Sequence, residues 1–192
     1  LFSEDFVGIE EAMYYLITAY TKGAKTQLSS YVFIYHPLLY AYEHNNVDVK
    51  IFYFSLEETP ERVMRRFMSY LIYTETNGVY RISPKHLRST DAKKLLPIEV
   101  LNLLKSDEFQ KKLKFFEDHI VFSTTSNPTG IYKECVKYAD ENGTTSRVVK
   151  TYTDDFGFTQ TTDKGFGSYT PNNDNEYRII FIDHVGLVTQ EK

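Results

Sequence analysis

The stretch "IFYFSLEETPERVMRRF", Ile51 to Phe67, decides the fold. The apolar, β-rich run Val49 to Phe54 reads as a buried strand that stops at Ser55-Leu56-Glu57-Glu58. A helix is predicted directly after it, over Thr59 to Thr74. Thr59 suits the N-cap and Pro60 the first turn, while Val63, Phe67 and Leu71 fall on one buried stripe.

Three more runs of the same kind lie along the chain: Tyr14 to Thr18, "YYLIT"; His119 to Ser123, "HIVFS"; and Tyr177 to Asp183, "YRIIFID". Helical patterns separate them. Lys25 to Glu43 repeats Leu28, Tyr31, Val32, Tyr35 and Leu39 at helical spacing, and Pro37 predicts a kink or an end near Tyr35. Pro97 to Leu104 and Asp107 to Glu117 read as short helices. Pro128 to Asn142 reads as a longer one, with Ile131, Cys135 and Tyr138 on one face and Asn142-Gly143 as its stop. Strands alternating with helices predict an α/β fold, a largely parallel sheet with helices on both faces. The polar, alternating segment Thr144 to Glu176 interrupts this pattern. It reads as a β-hairpin or long loop inserted before the last strand, with "DDFG" as its turn. The expected organisation is a single, partial domain over residues 1–192, carrying that insertion at 144–176.

Composition narrows the function. The chain has 192 residues, 42% hydrophobic and 25% charged, as ordinary globular proteins have. It contains no run of apolar residues long enough to span a membrane. The start, "LFSEDFVGIEEAM", lacks the basic and apolar regions of a signal peptide, and a first residue other than Met suggests a piece of a longer protein. The one cysteine, Cys135, excludes an internal disulfide and a cysteine-rich metal site, and fits a reducing cytoplasm. A net charge of −4 provides no global basic field for nucleic acid, so any such contact must use local patches.

Three places carry candidate chemistry. In "AYTKGAKTQ", Ala19 to Gln27, a lysine and a hydroxyl (Lys25-Thr26) stand where a helix begins. Backbone amides there favour phosphate and the hydroxyl can hold Mg²⁺. An ordinary helix start with a solvated lysine explains the same residues. The phosphate-cradling loop wants glycine where Ala19 and Ala24 stand. The second place is Glu57, off the carboxyl end of a buried strand, where a carboxylate can polarise a water. Glu57 and Glu58 also suit a first helical turn through its dipole, and for Glu58 that is the preferred reading. The third is Asp183, which ends four successive apolar residues and suits a water-mediated hold on Mg²⁺. Many strands end in Asp, so its weight comes from following Lys25-Thr26 in an α/β context. His184 next to it suits a phosphate contact or, more commonly, a structural role. Cys135 reads as core.

Together these residues resemble the ATPase core of the hexameric replicative helicases of the DnaB type, within the RecA-like P-loop group. "AYTKGAKTQ" resembles the family's phosphate loop, "IFYFSLEET" its strand ending Ser-Leu-Glu, and "IIFIDHVGLV" its metal-binding strand, where phage members often have Asp-His. The resemblance implies ATP and Mg²⁺ as cofactors. It implies a nucleotide-binding loop of Thr21, Lys22, Gly23, Ala24, Lys25, Thr26 and Gln27, metal held by Thr26 and Asp183, and Glu57 as the catalytic base. It further implies a hexameric ring of copies of the chain with DNA through its centre, contacts to replication proteins, and the cytoplasm as location. The family's later strands, γ-phosphate sensor and arginine finger have no counterpart before Lys192. Two other readings stand beside an ATP-hydrolysing helicase motor. One is a degenerate P-loop domain serving as a nucleotide-free structural or interaction module. The other is a recombinase-like or clock-type ATPase of the same superfamily.

Two segments compete for nucleic acid. Arg81, Lys85, Arg88, Lys93 and Lys94 stand against the single acid Asp91 and form a candidate DNA contact, although a solvated face is the favoured reading. The insertion carries aromatics suited to stacking on bases (Tyr152, Phe156, Phe158, Phe166, Tyr169). Its excess of acids makes it a poor phosphate partner and better suited to an inter-subunit or partner-protein contact.

Overall fold

A computed structural model describes residues 10, 12–20, 23–44, 46–88, 95–184, 186 and 188–189. Three strands form a parallel sheet: β1 (Asp48–Ser55), β2 (Ile120–Ser123) and β5 (Glu176–Asp183), in the order β2-β1-β5. β1 is the central strand and is buried almost throughout. Its alternate residues point to opposite faces. Val49, Ile51 and Tyr53 enter the main core; Phe52 and Phe54 enter a smaller one. A strand with apolar residues in both sets needs cover on both faces, as parallel sheets do.

The main core is covered by α2 (His36–Glu43), α3 (Pro60–Glu75) and α6 (Asp107–His119), with α5 (Ile98–Lys105) beside them. Phe67 of α3 stacks on Phe116 of α6, ring centroids 3.7 Å apart, and Tyr35 packs against both. The smaller core is covered by α7 (Pro128–Asn142) through Ile131, Cys135 and Tyr138. The expected two-sided arrangement is therefore present.

Helix boundaries follow local chemistry. α3 begins at Pro60, and the Thr59 carbonyl, rather than its side chain, accepts the Arg62 and Val63 amides. Asn127 caps α7 by accepting the Gly130 amide at 2.7 Å. Ser106 does the same for α6 at Phe109. Pro37 does not end its helix. α1 (Lys25–Ser30) runs through a π-helical turn at Tyr31–Tyr35 into α2, and the His36 amide donates to the Tyr31 carbonyl, five residues back. The widened turn accommodates the proline ring, which an unbroken α-helix would drive into the preceding turn. A short helix, α4 (Pro84–Leu87), capped by Ser83, lies in the stretch read as a solvated basic face.

The insertion is an antiparallel hairpin, β3 (Gly143–Thr153) with β4 (Thr159–Pro171). Its turn is the expected "DDFG". The Asp154 carboxylate accepts the Phe156 and Phe158 amides, and Gly157 takes a left-handed φ of 82°. Gly143 leads directly from α7 into β3; any side chain there would meet the Thr170 carbonyl and the Tyr169 ring.

One expectation is corrected. Tyr14 to Thr18 belongs to neither sheet. Tyr15 and Ile17 pack on the main core, but Tyr14 and Leu16 point to solvent, 80% and 64% exposed. A segment with only one covered side lacks what an inner parallel strand requires. Among the described residues no helix is long and apolar enough to cross a membrane.

Truncating Phe116 to Ala should cost about 3–5 kcal/mol by urea denaturation, since it removes a fully buried ring from the α3–α6 contact. Phe156→Ala, at an exposed hairpin turn, should change stability by less than about 0.5 kcal/mol.

Candidate functional site at the carboxyl edge of the sheet

β1 and β5 run in register from Asp48 opposite Glu176 to Ser55 opposite Asp183. The Leu56 amide extends the pairing by donating to the Asp183 carbonyl at 2.9 Å. β2 aligns Ser123 with Phe54. All three strands thus end at one edge of the sheet, in Ser55, Ser123 and Asp183. This is the edge at which ligands of open parallel sheets bind.

Glu57 lies just beyond this edge. The Ser55 hydroxyl donates to the Glu58 carbonyl and curls the chain back toward α3. Between this turn and the end of β2 lies a cleft of ≈ 280 Å³, lined by residues 55–60 and by Phe122, Ser123 and Thr124. Glu57 is exposed at it. Glu58 has a different fate. Its carboxylate is buried and forms ion pairs with Arg62 (3.1 Å) and Arg66 of α3. It therefore fastens the start of α3, in line with the structural reading of Glu58.

Asp183 is 4% exposed, and the Tyr53 hydroxyl donates to its Oδ2 at 3.3 Å. Burial, reinforced by the Asp183 charge, pushes the Tyr53 hydroxyl well above the usual tyrosine range. Tyr53 therefore remains a proton donor and fixes the carboxylate's orientation. Tyr35 is also raised by burial, against the opposing pull of Arg66; Ser30 and Glu58 lie beside it as well. These contacts form a polar layer beneath the edge, running from Ser30 through Tyr35, Arg66 and Glu58 toward Tyr53 and Asp183.

That layer locates the start of α1. The continuous helix Lys25–Glu43 is about 28 Å long at 1.5 Å per residue. β1, eight residues, spans about 26 Å. The helix leads by a short connection into the start of β1 and packs on it, so it runs antiparallel to the strand. Its first residues consequently lie toward the carboxyl edge, with Lys25 and Thr26 one to one and a half turns beyond Ser30. Both are half-buried, and Gln27 is exposed.

The loop before α1 is built differently from a glycine-rich one. The Gly23 amide donates to the Tyr20 carbonyl at 2.8 Å. A side chain at 23 would meet that carbonyl at 2.8 Å and the Ala19 methyl at 3.1 Å, so the close approach requiring glycine falls at Gly23. Ala24 takes the left-handed conformation (φ 57°, ψ 22°) that glycine adopts without penalty. Thr21 and Lys22 lie outside the described residues.

Of the basic segment, Arg81, Lys85 and Arg88 are not brought to this edge. α3 starts there and runs about 24 Å away. Arg81, Lys85 and Arg88 follow its far end, exposed, with the Arg81 guanidinium 5.9 Å from the Tyr73 ring. Lys93 and Lys94 lie outside the described residues. Cys135 is half-buried and packs against the smaller core, and burial pushes its thiol up. Among the described residues no group of three or more His, Cys, Asp or Glu is clustered to hold a metal.

Several contributors escape the sequence reading. Tyr53 and Arg66 sit inside apolar or amphipathic patterns where only contacts reveal a role. Ser123 and Thr125 both donate to Glu134 of α7, which shapes the β2 side of the cleft. The polar run "STTSN" after "HIVF" was their available signal.

Arg66→Ala should lower stability by about 3 kcal/mol in chemical denaturation, because it leaves the buried Glu58 carboxylate with only its partly exposed Arg62 partner. Ala24→Gly should raise stability by about 0.5–1 kcal/mol in the same assay, by relieving the left-handed alanine.

Comparison with models of known protein families, with curated proteins and with solved structures finds no match to this chain.

Proposed function

We propose that the chain is the nucleotide-binding part of a RecA-like P-loop ATPase of the phage replicative-helicase kind. The observation that carries this reading is the in-register ending of parallel β1 and β5, with Ser55 opposite Asp183. It puts Glu57 and Asp183 at one sheet edge, toward which the helix beginning Lys25-Thr26 also points.

In this reading Lys25 pairs with the β- and γ-phosphates of ATP, and the amides at the start of α1 orient them. The donor set fits Mg²⁺. One buried carboxylate, Asp183, and one hydroxyl, Thr26, are hard oxygen ligands of the sparse kind that this ion takes alongside water and phosphate. When bound, Mg²⁺ neutralises charge on the transferring phosphoryl group. Tyr53 keeps the Asp183 carboxylate turned by its hydrogen bond. Glu57, exposed at the cleft, accepts the proton of the attacking water. A ring of copies, DNA, replication proteins and a cytoplasmic setting belong to the same proposal.

A nucleotide-free interaction module is the second reading. The left-handed alanine at position 24 favours it, because a strained loop is less readily held in a phosphate-wrapping form.

Isothermal calorimetry with Mg-ATP tests the two. The chain should bind, and Lys25→Ala should abolish the heat. Glu57→Gln should bind normally while hydrolysis falls about 10²–10⁴-fold relative to the parent. Absence of any binding heat in the parent chain rejects the nucleotide reading in favour of the module.

A further inference from the structure

Among the described residues, the hairpin's side-chain ties to the rest of the chain lie near its base. Thr145 and Arg147 reach Asp140 of α7, and the Phe166 amide donates to the Tyr132 hydroxyl at 3.0 Å. The β3–β4 register shifts at Ser146/Arg147, among these contacts, and again just beyond them at Val148/Val149. The distal part then presents Val149, Phe156 and Phe158, 57%, 87% and 68% exposed. A two-stranded ribbon with apolar side chains in water is marginal by itself and gains from being covered.

Direction and charge identify the cover. From Gly143 the hairpin runs back along α7, from Asp140 toward Tyr132, and so heads for the carboxyl edge of the sheet. The six or seven residues per strand beyond Arg147 and Phe166 extend about 20 Å further. Its distal part, residues 148–165, holds two lysines against three aspartates, with Asp154 and Asp155 at the turn. The opposite character occurs at the other end of the molecule, beyond α3. Residues 79–88 hold Arg81, Lys85 and Arg88 with no Asp or Glu. Tyr80 lies against Glu99, which brings α5 and one carboxylate beside this segment, and Val79 and Ile98 are exposed. The length of α3 separates this patch from the outgoing hairpin of the same chain. Phosphate is a poor occupant for the hairpin, because its distal charge is negative.

We infer that the distal hairpin, with Asp155, Phe156 and Phe158 at its end, docks on the Val79–Arg88 patch of a second copy of this chain. The contact is head-to-tail, so it builds a closed ring or an open filament. It does not depend on nucleotide being bound.

Sedimentation velocity over a micromolar concentration series tests it. The parent chain should self-associate, and less so at high salt. Phe158→Ser should weaken association at least about tenfold. Asp155→Lys and Lys85→Glu should each weaken it several-fold, and the two together should recover most of the loss. Unchanged far-ultraviolet circular dichroism and melting temperature verify folding, and Lys85→Glu lies far from the hairpin, so a hairpin defect cannot mimic its effect. A parent chain monomeric at every concentration overturns the inference. So does association indifferent to Phe158→Ser, or a double charge reversal as weak as the single ones. If Phe158→Ser instead weakens single-stranded DNA binding at constant mass, the hairpin serves nucleic acid and the inference fails.

Discussion

The need to cover β1 on both faces organises the molecule. Tyr53 and Phe54 are adjacent, fully buried, and belong to different cores. Burying each ring contributes on the order of 2–3 kcal/mol, which neither face can forgo. α2, α3 and α6 must therefore lie on one side and α7 on the other. Chain connectivity then leaves little freedom. A helix that returns along a parallel strand starts at the carboxyl edge, as α3 does, whereas α6 runs antiparallel to α3, with Lys112 at Glu75 and Phe116 on Phe67, and starts at the opposite edge. The candidate site is a consequence of this geometry. Glu57, the start of α3 and the end of β5 share the edge because the strands are parallel and in register.

The polar layer under that edge reconciles buried charge with an apolar sheet. Glu58 is buried but paired with Arg62 and Arg66, and Tyr53 donates to Asp183. An unpaired carboxylate at such depth would be strongly destabilising. The pairing also divides labour between two neighbouring glutamates. Glu58 is committed to holding α3, which leaves Glu57 as the exposed carboxylate at the cleft. The hairpin follows the opposite economy. Its base is fastened to α7 and to Glu176 through Tyr169, whereas its distal apolar groups remain in water. A segment built in that way is suited to contact between molecules rather than to the stability of one.

Much of the fold was legible beforehand because the signals were local. The run Val49 to Phe54, the Thr59-Pro60 start of α3, the stripe Ile131, Cys135 and Tyr138, and the "DDFG" turn each depend on residues within a turn or two of one another. The strand expected at Tyr14 to Thr18 failed because "YYLIT" has the composition of a strand, while strand formation depends on what lies beside it. The proline at 37 suggested a break, but packing of Phe33, Ile34 and Tyr35 into the main core keeps the helix continuous through a π turn.

By itself the sequence determined most of the element types, the alternation that makes a parallel sheet, and the residue types suited to phosphate, metal and proton chemistry, since these follow from side-chain chemistry and short-range spacing. Only the tertiary structure decided which of them meet. The 125 residues between Glu57 and Asp183 carry no record of register, which is set by β1–β5 pairing and by apolar burial on both faces. Tertiary contacts also separated Glu58, buried against two arginines, from its exposed neighbour Glu57. They sent Arg81, Lys85 and Arg88 to the far end of α3, because a sixteen-residue helix carries the chain the full depth of the sheet.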